Sequence, residues 1–182
     1  MPSYIDQVLR HAKQRVLENL QSEMEQLFAR RAHEGLLHSG STITAGKALA
    51  AKAVADFAHE LNDRFSEFPV LHSPFDVEDF ESAKREVSIF STEAAFEAKQ
   101  ALGKLFGDKH ASLIEGPIEG IEAAISDAQI SLEGKRIAFA SERSFWKWAL
   151  GDLKKRVWSA SLLAVGGAVT LGVQAFAKQF LS

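Results

Sequence analysis

The chain has 182 residues, 46% hydrophobic and 25% charged, enough apolar material for one folded core and too much for a disordered polymer. It contains no cysteine, which excludes disulfides, thiolate-bound zinc, iron–sulfur clusters and cysteine nucleophiles. The net charge of −3 conceals an asymmetry: residues 1–134 hold 13 Lys/Arg against 22 Asp/Glu, net −9, residues 135–158 hold 7 against 2, net +5, and Lys178 is the remaining charge.

The first ten residues lack the apolar core of a secretory signal, and Asp6 is out of place in a mitochondrial presequence, so the body is expected to stay in the cytoplasm. Ser3 and Asp6 have the spacing of a capping box. Behind them Ile5, Leu9, Ala12, Val16, Leu20, Met24, Leu27 and Phe28 recur at helical period, which predicts a first helix to about Leu37. A turn is expected at His38-Ser39-Gly40-Ser41-Thr42. A second helix then places Ala50, Val54, Phe57, Leu61, Phe65 and Phe68 on one face and stops before Pro69.

Ser73-Pro74-Phe75-Asp76 predicts a third helix with Ser73 as N-cap and Pro74 at its first position. Its apolar residues, Phe80, Ala83, Val87, Phe90, Ala94, Ala98, Ala101 and Leu105, form a coiled-coil-like seam that breaks near Gly107-Asp108. Gly116-Pro117 is expected to open a fourth helix through Ile118, Ile121, Ile125, Ala128 and Leu132, with Gly134 as a kink or end. No alternating run is long enough for a strand. The expected fold is all-α, a bundle of long antiparallel amphipathic helices with a C-terminal hydrophobic, transmembrane helix.

Three segments follow from the charge and hydropathy pattern: an acidic bundle body over 1–134, a basic-aromatic juxtamembrane helix over 135–156, and the apolar helix over 157–182. Residues 157–177 are 21 positions without a charge. As a helix they span about 31 Å, close to the roughly 30 Å hydrocarbon core of a bilayer. Lys154, Lys155 and Arg156 precede this run, Trp158 stands at its edge and Lys178 follows it. Such flanks suit headgroup depth, and the positive-inside rule keeps the N-terminal body cytoplasmic, with tail-anchored insertion. Within the run Ala160, Ala164, Ala168 and Gly172 form a small-residue ridge that suits helix packing in lipid. Ser159, Gly166, Thr170 and Gln174 make a weakly polar stripe on another face.

Upstream, Arg143-Ser144-Phe145-Trp146-Lys147-Trp148 interleaves bases with aromatic residues. This pattern fits a membrane-surface helix or a stacking site for single-stranded nucleic acid, and a third reading makes Phe145, Trp148 and Leu150 plain core. An acidic body argues against nucleic acid, because phosphate contacts need a basic surface. Anionic lipid headgroups are the expected partner, together with a second copy of the chain or another helical protein.

Catalytic and cofactor patterns fail on geometry. His33 and His38 are five apart, about 140° around a helix, whereas a zinc-protease helix needs histidines four apart. Residues 40–47 resemble a phosphate-binding loop but have five residues between the glycines and no Ser/Thr after Lys47, and they read as an interhelical turn with Lys47 solvated. Asp56 and His59 occur as a single pair with the wrong acid for a di-iron bundle. No catalytic, metal or cofactor site is predicted, and the chain is read as non-enzymatic. The leading expectation is a membrane-anchored scaffold or adaptor. The alternatives are an oligomerising, membrane-permeabilising effector and a soluble binding bundle whose terminal helix is core.

Overall fold

The computed structural model describes the backbone of residues 3–180 and the side chains of residues 3–154, except Leu71, Asp108 and Lys109. Its helices are α1 (Tyr4–His33), α2 (Gly40–Ser66), α3 (Val77–Phe106), α4 (Ala111–Glu115) and α5 (Ile121–Phe180), and no strand occurs among the described residues. The chain divides into two compact units, Met1–Phe139 and Ala140–Ser182.

The first unit is a helical bundle whose directions follow from its side-chain pairs. Arg15 meets Glu60 and Glu23 meets Lys52, so α1 and α2 run antiparallel. Phe57 lies against Phe90 and Phe65 against Phe80, so α2 and α3 are antiparallel as well. Lys84 pairs with Glu133 and Ser88 with Gln129, which sets the start of α5 antiparallel to α3. It runs parallel to α2, where Asn62 meets Ser131 and Ser66 meets Lys135. Lys13 joins α1 to α3 through Glu86 and Glu93. The α2–α3 pair is therefore the spine of the bundle, and α1 and α5 each pack on both of its members.

The helix ends show why the elements begin where they do. Ser3 and Asp6 form the expected capping box at α1. At α3 the N-cap is Asp76, whose carboxylate accepts from the backbone N–H groups of Glu78 and Asp79, while Asp79 returns a bond to the Asp76 N–H. This corrects the expectation for Ser73 and Pro74. The Ser73 hydroxyl accepts from Phe75 N–H in the turn before the helix, because a carboxylate with an acid three residues later is the stronger reciprocal cap. Likewise α1 ends at His33, α5 begins at Ile121 after Gly120 with φ of 81°, and α5 passes through Gly134 without ending.

The core changes character along its length. One end is aromatic: Phe65 stacks on Phe80 with centroids 4.1 Å apart, Phe75 meets Phe65 edge-on at 4.7 Å, and Phe139 reaches Phe80 at 5.3 Å. The other end is built largely on small residues, including Gly46, Ala50, Ala94 and Ala98. A Cβ at Gly46 would stand 3.0 Å from Leu102 Cδ2 and 3.3 Å from the Met24 side chain, so its missing side chain is what lets three helices close there. The buried face of α3 drifts: Phe90, Ala94, Ala98, Leu102 and Phe106 step by four, each step about 40° beyond a full turn. This drift buries Leu102 and Phe106 and leaves the expected Ala101 and Leu105 half-buried.

Candidate functional site

In the second unit the described side chains are those of residues 140–154, all on α5. At 100° per residue, Phe145, Trp146, Ala149, Leu150 and Leu153 fall within about 140° of one another. Arg143, Lys147 and Lys154 lie within about 40° along one border of that arc. Glu142 falls inside that arc and Asp152 about 20° outside it, so the segment carries exposed apolar residues interrupted by acids, with basic residues along one border. Its apolar side chains face solvent: Phe145 is 57% exposed, Trp148 67%, Leu150 50% and Leu153 58%. Among the described residues Phe139 is the last buried aromatic in chain order. Phe145 touches Trp146 with centroids 5.8 Å apart and Trp148 at 6.1 Å, which gathers the rings into one aromatic patch.

The basic run divides between two roles. Lys135 donates to the Ser66 hydroxyl at 2.7 Å, and Arg136 grips Glu133 through two nitrogens at 2.9 and 2.5 Å, so the charges at its start serve the bundle. Arg143, Lys147 and Lys154 lie among the aromatic residues in the chain. Lys155, Arg156, Trp158 and Lys178 lie outside the residues whose side chains are described, as does the ridge of Ala160, Ala164, Ala168 and Gly172. Among the described residues no helix is long and apolar enough to cross a membrane.

The first unit contains a lysine whose role the sequence did not reveal. Residues 40–47 are the opening turns of α2 rather than a loop, and Lys47 is half-buried and hydrogen-bonded rather than freely solvated. Its Nζ donates to the carbonyls of Gly116 at 3.0 Å, Pro117 at 3.3 Å and Leu113. Lys99 Nζ donates to the Glu115 carbonyl at 2.9 Å. Two lysines from two helices thereby satisfy the carbonyls left open at the end of α4, as cations near a helix C-terminus do. Burial, with the charge of Lys99 beside it, holds the Lys47 pKa below the ordinary lysine value, against the opposing pull of Glu115 and Glu119. A cleft of about 440 Å³ opens beside it, lined by Ile43, Thr44, Leu113, Pro117 and Glu119. Because the ammonium is already engaged by backbone oxygens, it acts here as a clamp and offers no free cation to a ligand.

Among the described residues no group of His, Asp or Glu could hold a metal ion. His33 lies in the last turn of α1, and the His38 ring sits edge-on to Phe106 at 5.7 Å. No family model matches the chain, and neither a curated protein nor a solved structure matches it.

Proposed function

We propose that the protein is a membrane-anchored helical bundle that works through protein–protein contact as a scaffold or adaptor, without catalysis. The observation that supports this reading is the exposed apolar set of Phe145, Trp146, Leu150 and Leu153 with basic residues along one border, followed by 21 uncharged residues over 157–177. Aromatic rings suit the interfacial zone, bases suit anionic headgroups, and the uncharged run has the length to span. The acidic bundle then provides the surface for partners on the cytoplasmic side.

Partition with vesicles tests this. Full-length protein is expected to float with anionic liposomes in high salt, whereas a 1–153 truncation remains helical and stays largely in the supernatant, with a weak, salt-sensitive affinity for anionic vesicles. Cooperative loss of folding in 1–153 would instead make the terminal helix part of a soluble core. Leakage of a trapped dye is the readout for the permeabilising alternative, which the polar stripe through Ser159, Gly166, Thr170 and Gln174 motivates. Sealed vesicles are the outcome expected here.

A further inference from the structure

Two helices of the bundle present large apolar side chains to solvent at positions the core does not use. On α3 these are Ile89, 52% exposed, and Phe96, 61% exposed; on the bundle part of α5 they are Ile130, 67%, and Ile137, 57%. Members of each pair are seven apart, so each pair forms one stripe along its helix. The core seam of α3 runs through Val87, Phe90 and Ala94, so Ile89 and Phe96 belong to a second apolar face. Between the stripes lies an open groove of about 770 Å³, lined by Arg85, Ser88, Ile89, Ser126, Gln129 and Ile130.

At one end of the groove Glu81, Lys84, Glu133 and Arg136 close a four-charge network among themselves. With those charges balanced, little net charge is left to attract a strongly acidic or basic partner. Ser88, Thr92, Ala123, Ser126 and Gly134 are small, which lets another helix approach closely. The Ser88–Gln129 and Lys84–Glu133 contacts fix the relative heights of the two helices. Ile89 stands within a turn of Ile130, Arg85 within a turn of Glu133, and Phe96 within a turn of Ala123.

We infer that this face is where two copies of the chain meet, related by a two-fold axis that runs along the groove parallel to the helices. Such an axis lays α3 of one copy over α5 of the other at equal height, and the contact occurs twice. Ile89 then meets Ile130, and Phe96 meets the small Ala123 and Ser126. Arg85, whose described partner is the Ser82 hydroxyl, comes within about two turns of Asp127. Large residues thus oppose small ones and a base opposes an acid. An antiparallel axis through Ile89 would instead set Ile137 near Glu119 and Phe96 near Glu81, apolar against charged.

The absence of cysteine makes a clean cross-linking test possible. Full-length Ile89→Cys and Ile130→Cys variants are mixed in detergent without lipid, and Phe96→Cys is mixed with Ala123→Cys. His59→Cys, at an exposed position on α2, is the control. Mixed pairs are expected to form disulfide-linked dimers faster than any single variant and faster than the control. In sedimentation, Ile89→Glu with Ile130→Glu is expected to weaken dimerisation by about a hundredfold or more with the helical circular dichroism signal unchanged. A monomeric parent chain, a dimer that survives the double substitution, or cross-linking no faster than at His59→Cys would each overturn the inference. Working without lipid separates this result from membrane binding.

Discussion

Glu133 accepts hydrogen bonds from Arg136 and Lys84, and these cations hold its carboxyl down from 4.5 to about 2. A carboxylate with a lowered pKa stabilises the fold fully above its unfolded value and loses that contribution as pH falls through its folded one. The difference in melting temperature between the parent and Glu133→Gln is therefore expected to be constant above pH 4.5, to shrink below it and to vanish near pH 2. Circular dichroism melts across that range measure it, and a difference that grows on acidification would contradict the assignment. The effect is small, because solvent screens a network at the rim of a groove. Lys47 makes a different kind of contribution. Lys47→Met removes the shared donor of three carbonyls that water partly reaches and is expected to cost about 1 kcal/mol in urea unfolding. The clamp could not be read from the chain, since its acceptors lie 66, 69 and 70 residues away. Helical periodicity carries no information about such a distant pair.

At the scale of single elements, the apolar periodicity located the long helices well and their ends less well. Tertiary packing decides the face of a helix, whereas competition between nearby caps decides its first residue. Asp76 and Ser73 both offered an oxygen, and the carboxylate with a reciprocal Asp79 prevailed. Asp76→Ala is accordingly expected to lower stability by about 1 kcal/mol, and Ser73→Ala to leave it nearly unchanged. Adjacent positions on α3 provide a sharper contrast. Phe90 is fully buried against Phe57, so Phe90→Ala is expected to cost about 3–5 kcal/mol. Ile89→Ala, one residue away and half in water in the single chain, should change denaturant stability by less than about 0.5 kcal/mol at dilutions where the chain is monomeric. Equal losses at both positions would mean that α3 is rotated from the orientation described. The exposed stripe had a signal in the sequence all the same: Ile89 and Phe96 are large apolar residues that the α3 seam leaves unused.

For the whole molecule, composition and charge pointed to two parts with different solvents, an acidic bundle and a basic-aromatic segment that leads into an uncharged run. The bundle has its own buried core from Ile5 to Phe139, and ion pairs together with aromatic contacts between its helices show the direction of each long helix within it. Helix order was beyond periodicity, because each amphipathic face says only that it must be covered and not by which neighbour. The basic-aromatic segment, by contrast, was visible as a pattern of residue types. Its aromatic rings at Phe145, Trp146 and Trp148 are exposed.

The chain's three tryptophans, Trp146, Trp148 and Trp158, all lie in this segment or at the edge of the uncharged run, so intrinsic emission reports on that region alone. The decisive measurement compares this emission for full-length protein reconstituted in vesicles with brominated and with ordinary acyl chains. Insertion at headgroup depth predicts marked quenching by the brominated lipid. Equal emission in the two lipids would contradict a membrane-bound segment.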